Sequence, residues 1–465
     1  MDPILAHLVD FVEEADFDSL SGGAIEAVLR HTVDTVGCGA GGVASRPAGI
    51  ARAVGRGTGG TLTASVYGQP EKVLVDYAAF ANATANRYLD FNDFGASGHP
   101  SDMIPALFAM AEAVAGSGRD LVTAIYVAYE VATAVATAVP PDGGWDQGIY
   151  CSLGIAAAQA KIMKLPRDSI AHALSLAVVP SVPLRVTRFG ELSEWKAAAT
   201  AHAAMTATFA ARLAAGGMHG PAEPFAGKDG LLERVWPHFE LDIAGSGRTA
   251  VEQASLKRHP ACYWGQVPVD LAAELRDRVP LADIAAIDVA TCRNAWRSIG
   301  GGRGDAAEKW RPPTRETADH SMPFLMAVGL LDGELTEAAF APERLTDPTL
   351  LSVVDRISVT ERADLTRRAT RDSCPTEVVV RRIDGSAVTA CADIPRGHPA
   401  NPMTDAEVLN KYESLAVRAL DPAAARRLAD LLLTLPELRG LDEPARILRS
   451  FQVPKTLDTA PIQQL

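Results

Sequence analysis

Residues 121–139 read LVTAIYVAYEVATAVATAV, an almost uninterrupted apolar run about as long as a membrane-spanning helix. Glu130 lies at the centre of this run, Ala and Thr are frequent in it, and no Lys or Arg follows Val139 immediately. These features favour a helix that is buried on all sides in the core of a large globular protein over a membrane span.

Helical periodicity extends from this run in both directions, from residue 1 to about residue 265. Ala, Leu and Val recur at helical spacing between short breaks of Gly, Pro and Asp. Asp120 and Pro166 each stand where a helix would begin. The predicted helices are Ala24 to Gly37, Glu71 to Leu89, Ile104 to Ala115, Leu121 to Ala138, Ser152 to Met163, Arg167 to Val178, Lys196 to Ala215 and Gln266 to Asp277.

The pattern changes beyond about residue 280, where β-branched residues become frequent. Asp384-Gly385 is a hairpin signal between two of the predicted strands, and Ser321 to Leu331 is predicted as a helix. This region therefore fits a helix-plus-sheet domain. The predicted strands are Ile284 to Thr291, Ile357 to Thr360, Glu377 to Ile383 and Ala387 to Ala390.

Helical composition returns after a Pro- and Gly-rich segment at 395–402, with helices predicted for Thr404 to Arg418 and Ala423 to Leu433. If this tail packs onto the first half, the middle region is an insertion. The prediction is a mainly α protein with an α+β second domain. Residues 1–265 and 400–465 form the all-helical domain, and residues 266–399 form the smaller α/β domain.

Composition excludes several functional classes. The net charge of −13 argues against a non-specific nucleic-acid binder, and 48% hydrophobic residues exclude a disordered chain. The N-terminus lacks the pattern of a secretory signal, so we expect a cytoplasmic protein that makes no membrane contact. No C-x-x-C pair or Cys/His cluster indicates zinc or an iron–sulfur cluster. Reduced thiols are expected at Cys38, Cys151, Cys262, Cys292, Cys374 and Cys391.

The first candidate cluster, residues 87–101, reads RYLDFNDFGASGHPS. Asp90, Asp93 and His99 leave an apolar helix and enter a Gly- and Ser-rich loop. Carboxylates close to an imidazole suit proton transfer, because they raise the pKa of the His or orient its ring. The alternative interpretation is a helix end at which Asp93 and His99 only cap main-chain groups.

The second cluster places three cations, Arg185, Arg188 and Lys196, ahead of an Ala-rich helix. Cations near a helix N-terminus oppose the helix dipole, so helix stability does not explain them. A multiply anionic small molecule would explain them, because Arg and Lys bind carboxylates. Pairing with Glu191 and Glu194 is the alternative.

A third cluster, residues 255–264, reads SLKRHPACYW and contains Lys257 and Arg258. Cys262 is a possible nucleophile, but a small buried thiol is the commoner role. The run from Gly300 to Gly304 lacks the order of a phosphate-binding loop and is predicted to be an ordinary loop.

At these clusters the chain resembles the MmgE/PrpD family, which includes 2-methylcitrate dehydratase, cis-aconitate decarboxylase and iminodisuccinate epimerase. The resemblance runs nearly end to end. It implies a large helical domain made from both chain ends with an inserted α/β lid domain. The segments that carry it are YLDFND, GHPSDMIPAL, KAAATAHAAMTATFAARLAAGGMHGP, LKRHPA, RETADHSMPF and GHPANPMTDAEVLNKY.

The resemblance also implies roles for individual residues. The acidic motif of the family falls on Asp90 and Asp93, its loop His on His99, and its site lysines on Lys196 and Lys257. Three residues depart from the pattern of the decarboxylases. Phe94 stands where those proteins have Thr, Cys262 stands where they have His, and Asp146 is closer to the dehydratase branch. Decarboxylation of cis-aconitate is therefore disfavoured.

Residues and resemblance together predict a cofactor-independent lyase that dehydrates a small di- or tricarboxylate, such as a 2-methylcitrate-like hydroxy acid. Removing a proton next to a carboxylate creates a dianion that fixed cations stabilise. Lys196, Lys257 and Arg188 are predicted to supply that charge, with His99 moving the proton and Tyr150 as a second acid. Arg185, Asp146, Arg258 and Cys262 complete the predicted substrate-binding set.

Three alternatives remain open at this point: an epimerase or isomerase that uses the same proton abstraction, a cis-aconitate-type decarboxylase, and a carboxylate-binding protein without catalysis. No metal or other cofactor is expected. The resemblance implies a homodimer, and the other expected partner is the small carboxylate substrate.

Overall fold

Helices dominate the computed structural model, which describes residues 1–140, 144–243 and 247–454. The N-terminal helices are α1 (Pro3–Glu14), α2 (Gly22–Gly42), α3 (Arg46–Gly55), α4 (Val75–Tyr88), α5 (Ile104–Ala113), α6 (Gly118–Ala138), α7 (Gly148–Ile162), α8 (Arg167–Val178), α9 (Trp195–Ala215), α10 (Leu231–Arg234) and α11 (Ala250–Gln253). The C-terminal helices are α20 (Asp405–Ala416), α21 (Pro422–Leu433) and α22 (Asp442–Arg449).

The middle of the chain combines short helices with a sheet. Its helices are α12 (Gln266–Arg276), α13 (Arg293–Ile299), α14 (Ala306–Trp310), α15 (Arg315–Ala318), α16 (Met322–Asp332), α17 (Pro342–Leu345), α18 (Pro348–Val354) and α19 (Ala363–Arg368). Its strands are β3 (Ile284–Thr291), β4 (Ile357–Glu361), β5 (Thr376–Arg382) and β6 (Ala387–Ala392).

The four strands form one mixed sheet in the order β4-β3-β5-β6. β3 and β4 are parallel, so a helical crossover joins them, whereas β5 pairs antiparallel with both β3 and β6. Gly385, with φ of 86°, turns the β5–β6 hairpin at the predicted Asp384-Gly385 position.

Three predicted helix boundaries were wrong by four or more residues: α2 continues to Gly42 instead of ending at Gly37, α7 begins at Gly148 instead of Ser152, and α4 does not begin at Glu71. The helix expected from Glu71 begins at Val75, because residues Gln69–Leu74 form strand β2, which pairs antiparallel with β1 (Thr63–Val66). Gly68, with φ of 72°, turns the chain between these two strands. Pairing between neighbouring segments thus overrides the helical pattern of this stretch.

The apolar run that predicted the fold lies within α6 and packs against other helices. Ser117 and Asp120 form a capping box at its start, and buried Glu130 accepts a hydrogen bond from the main-chain N–H of Ala250 at 2.7 Å. By length and composition α6 could cross a membrane, but 78% of its apolar window is buried inside the protein. The prediction of a core helix is confirmed, but burial on all sides was wrong, because Tyr126 and Thr133 are half-buried, Thr137 is exposed, and this face of α6 lines a surface cavity.

Two hydrophobic cores organise the molecule. One joins buried residues between 4 and 254 with buried residues between 412 and 451, and the other contains buried residues between 261 and 390. The predicted fold class, mainly α with a smaller part that contains the sheet, is confirmed. The domain boundaries stay a prediction.

Candidate active site

The end of α4 carries the first cluster into the site. Asp90 follows this helix with φ of 51°, a left-handed conformation that Asp tolerates better than most residues. Its main-chain N–H donates to the carbonyl of Arg87 at 3.1 Å. This turn ends the helix and directs both side chains into the interior, where Arg87 and Asp90 are each at most 2% exposed.

The Asp90 carboxylate is the centre of a buried charge cluster. Its Oδ1 accepts from Arg87 Nη1 at 2.7 Å and from the ammonium of Lys257. Its Oδ2 lies 3.0 Å from Lys196 Nζ. Burial alone would raise the pKa of Asp90, but these three cations together hold it well below its usual value. Asp90 is therefore a permanent anion that joins α4, α9 and the segment after α11.

A second carboxylate, Asp319, lies on the other side of Lys196. Lys196 Nζ donates to both of its oxygens, at 2.5 and 2.7 Å. The ring nitrogen Nδ1 of the adjacent His320 lies 2.6 Å from Asp319 Oδ1 and 3.5 Å from Asp90 Oδ2. Because a carboxylate can only accept, Nδ1 carries the ring proton and Nε2 of the neutral ring is an acceptor.

His99 presents the same type of nitrogen. Its Nδ1 lies 2.6 Å from the main-chain oxygen of Asp93, so Nδ1 donates and Nε2 has the free lone pair. Nε2 is 3.8 Å from Asp90 Oδ1, the oxygen that also binds Lys257. Asp90 Oδ1 therefore contacts Lys257 and also lies next to the His99 ring.

Both imidazoles are neutral near neutral pH. Burial, with Arg87 and Lys257 nearby, lowers the pKa of His99 well below 6.5. Burial and the Lys196 ammonium lower the pKa of His320 to about 4. A neutral His with an exposed lone pair is the form that a general base requires.

The carboxylate of Asp93 does not polarise His99 as expected. It points away, accepting from Ser101 Oγ at 2.6 Å and from the hydroxyl of Tyr129 at 2.8 Å, with His31 Nδ1 at 3.2 Å. These contacts hold the loop that presents His99. The main-chain oxygen of Asp93, rather than its side chain, orients the imidazole.

A cavity of about 120 Å³ opens beside His99 and His320. Its cations are Arg87, Arg185 and Arg188, and its aromatic wall contains Phe94, Trp145, Phe189 and Trp264. Phe94 stacks on Tyr263 with ring centroids 4.0 Å apart. Lys196 and Lys257 are not among the described lining residues. They lie behind the wall, where they bind carboxylates of the protein instead of contacting the cavity as expected.

Two of the predicted cations, Arg188 and Lys196, pair with aspartates and not with the glutamates that were considered. Arg188 forms a two-pronged contact with Asp146, at 2.7 and 3.2 Å, and also donates to the main-chain oxygen of Lys196. Glu194 pairs with Arg46 instead. Arg185, Arg188 and Asp146 all line the cavity, and their role in substrate binding stays a prediction.

Two predicted site residues lie elsewhere. Tyr150 is fully buried behind the cavity wall, where its hydroxyl donates to the main-chain oxygen of Val139 and accepts from Trp145 Nε1 at 2.9 Å. It is therefore not the second acid. The side chain of Arg258 is 55% exposed and pairs with Asp270 beside a separate cavity.

Cys262 lines the cavity, but as a thiol. Burial raises its pKa to about 11, which keeps it protonated and unreactive at neutral pH. A nucleophilic role is disfavoured, and a packing role agrees with its burial.

Sequence reasoning gave no role to Arg87, Asp319 or His320, although each stands in a quoted segment. The usable signal was the adjacent Asp319-His320 pair, a carboxylate next to an imidazole. Its significance depends on α15 (Arg315–Ala318) ending beside Lys196, 123 residues away along the chain.

Asp90, Asp319 and His320 place one ligand atom each within 4.8 Å, as a metal site would. However, the ammonium of Lys196 already lies between the two carboxylates. A metal ion there would face that ammonium at close range, so the donor set does not fit a metal while Lys196 is charged.

Comparison with known proteins identifies two family domains that together cover most of the chain. Residues 6–244 match the MmgE/PrpD N-terminal domain and residues 259–436 match the MmgE/PrpD C-terminal domain. The chain is 27% identical to the 2-methylcitrate dehydratase of Cupriavidus necator, covering 85% of this chain and 86% of that protein. It is 23% identical to human cis-aconitate decarboxylase, covering 95% and 94%.

Proposed function

The chain belongs to the MmgE/PrpD family, and from this premise we propose that it is a hydro-lyase that dehydrates a small hydroxy di- or tricarboxylate. Its named relatives are 2-methylcitrate dehydratases and cis-aconitate decarboxylases, which supports a dehydratase or decarboxylase function at the level of the family. The finer assignment, a 2-methylcitrate-like substrate and loss of water, is our proposal.

The observation that carries the proposal is the bare Nε2 of His99 at the edge of a cationic cluster. Its Nδ1 is fixed by the main-chain oxygen of Asp93, so the ring can offer only Nε2 to a substrate. In this proposal, Nε2 removes the proton from the carbon next to a substrate carboxylate.

The charge cluster favours the product of that step. Loss of the proton adds negative charge to the substrate carboxylate, and Arg87 lines the cavity with Lys196 and Lys257 just behind it. Fixed cations in a buried site stabilise developing charge without the need to reorganise. Burial, together with Arg87 and Lys257, lowers the pKa of His99 and so keeps the ring unprotonated near neutral pH.

In this proposal one side chain, His99, both accepts the proton and returns it. Once protonated, His99 is an imidazolium whose Nε2 lies 3.8 Å from the Asp90 carboxylate, which stabilises it. The electron pair of the broken C–H bond forms the C=C bond, the C–O bond breaks, and the imidazolium proton completes the departing water. His320 Nε2, an acceptor, would orient the substrate hydroxyl before it leaves.

The cavity lining supports the substrate class. Arg185 and Arg188 suit carboxylate groups beyond the one at the reacting carbon. The aromatic wall of Phe94, Trp145 and Trp264 suits an alkyl substituent such as a methyl group. Together they favour a small polycarboxylate with one apolar branch.

The proposal is tested with a panel of hydroxy-polycarboxylates, 2-methylcitrate included, by following ultraviolet absorbance of the new alkene. We expect alkene formation in the parent and a loss of kcat of about 10²- to 10⁴-fold in His99→Gln. His172→Gln, on α8 and stacked on His219, is the matched control and should keep parental kcat.

The competing activities give different results in the same assay. An epimerase changes optical rotation without forming an alkene, and a decarboxylase releases CO₂ from cis-aconitate. Parental turnover in His99→Gln would contradict the proposed base. No turnover with any substrate, but measurable binding, would favour a carboxylate-binding protein.

A further inference from the structure

The C-terminal helices reach the candidate site through one buried lysine. Lys411, on α20, is 8% exposed, and its Nζ lies 2.6 Å from Asp34 Oδ1. The same ammonium donates to the main-chain oxygens of Phe91, at 2.7 Å, and Lys257, at 2.9 Å. This ion pair and these two hydrogen bonds join three separate segments to α20.

Two of the three acceptors flank the charge cluster. Phe91 directly follows Asp90, and Lys257 carries the ammonium that binds Asp90 Oδ1. The contacts come from the far side of the site, where Lys411 and Phe91 line a different cavity of about 580 Å³. Lys411 therefore holds the main chain on both sides of the Asp90–Lys257 ion pair without entering the substrate cavity.

We propose that Lys411 is a positioning residue, which sets the separation of Asp90 and Lys257 and through them the charge around His99. The inference rests on the proposed function, because that function gives the cluster its role. Asp34 alone would neutralise Lys411, so the ion pair does not account for the two carbonyl contacts. An error of about 1 Å in such a site can reduce the rate on the order of 100-fold.

The test is the double variant Lys411→Met with Asp34→Asn. Removing both charges avoids an unpaired buried carboxylate, which would itself destabilise the fold. We expect kcat to fall by about 100-fold with little change in KM, because the contacts to substrate remain. A role limited to neutralising Asp34 predicts parental kcat in the folded double variant, and that result would overturn the inference.

The matched control is Asp76→Asn with Arg212→Met. This partly buried ion pair joins the start of α4 to the end of α9, about 20 Å along the helix from Asp90. The double substitution should leave kcat unchanged.

Amide hydrogen exchange separates this inference from the proposed function. Residues 89–99 and 255–262 should exchange faster in the Lys411 double variant and at the parental rate in the control. If the parent dehydrates no hydroxy acid, the proposed function fails, and exchange alone decides the role of Lys411. Unchanged exchange in both segments would then overturn it.

Discussion

At the scale of single residues, the tautomer of His99 matters more than its distance from any one charge. The sequence places a carboxylate at Asp93, six positions before His99, and it was natural to pair the two side chains. The structure uses the main-chain oxygen of Asp93 instead, and it directs the carboxylate to Ser101 and Tyr129. The result is an imidazole whose proton-accepting nitrogen, Nε2, is defined by the fold of the loop.

The pKa of His99 predicts the acid side of the pH profile. A base is inactive when protonated, so kcat/KM falls as the pH drops through the pKa of His99, which lies well below 6.5. We expect the falling limb of the parent below pH 6.5. In Lys257→Met, loss of a nearby cation should raise the pKa and move the limb to higher pH.

Lys257→Arg keeps the positive charge, so its kcat/KM should fall at the same pH as that of the parent. Titration of the substrate contributes equally to the pH profiles of the parent, Lys257→Met and Lys257→Arg. Differences between these profiles therefore come from the protein. A parental limb at or above pH 6.5 would contradict His99 as the base.

At the scale of elements, the site exists because the ends of three segments meet. α4 ends at Tyr88 and leads to Asp90, α9 begins at Trp195 and presents Lys196, and the segment after α11 supplies Lys257. α4 packs along α9, which brings the first two together. Asp90 is the carboxylate that all three share.

Removal of that shared charge should destabilise the whole arrangement. Asp90→Asn keeps the shape of the side chain but leaves three buried cations short of an anion, and breaking buried pairs of this kind costs about 3–5 kcal/mol. We expect a loss of that size in the free energy of unfolding, measured by urea denaturation. Asp405→Asn breaks the surface pair with Arg30 and should cost at most about 1 kcal/mol. Equal losses in the two variants would contradict the central role of Asp90.

At the scale of the whole molecule, the cavity lies where the two hydrophobic cores meet. His99 comes from the part of the chain that carries the first core, and His320 lies beside the second. Formation of the site therefore requires both cores to be folded and in contact, so stability and the state of the two imidazoles are linked.

This linkage predicts how stability depends on pH. Both histidines have a lower pKa folded than unfolded, so unfolding takes up protons and acid favours the unfolded state. The stability that they contribute is complete above pH 6.5 and is lost as pH falls, for His320 down to about pH 4. Each contributes at most about 1.4 kcal/mol per pH unit.

The measurement is urea denaturation of two proteins, the parent and the double variant His99→Gln with His320→Gln. The range of about pH 4 to about pH 7 covers the folded and unfolded pKa values of these histidines. As pH falls, the free energy of unfolding of the parent should decrease relative to that of the double variant. Asp102, whose pKa burial raises to about 6, acts in the opposite direction in both proteins and cancels in the difference. A difference that is constant with pH would contradict two neutral imidazoles.

Much of the local structure could be predicted from the sequence by itself, because helical and strand periodicity reflect which side of a segment is buried. The α8 helix, the β5–β6 hairpin and the buried α6 are examples, and the quoted segments indicated the family. Those segments also contained the imidazole of His99 and the carboxylate of Asp90.

Only the tertiary structure decided which of these groups meet. Lys257 and Asp90 are 167 residues apart, and Lys411 and Phe91 are 320 apart, so no periodicity within one segment encodes their contacts. Each contact joins different elements: Asp90 and Phe91 follow α4, Lys257 lies in the segment after α11, and Lys411 is on α20, which packs against α2. For the same reason Tyr150 and Arg258 lie outside the cavity while His320 lies within it: side-chain direction follows from how the elements pack, which residue type alone does not determine.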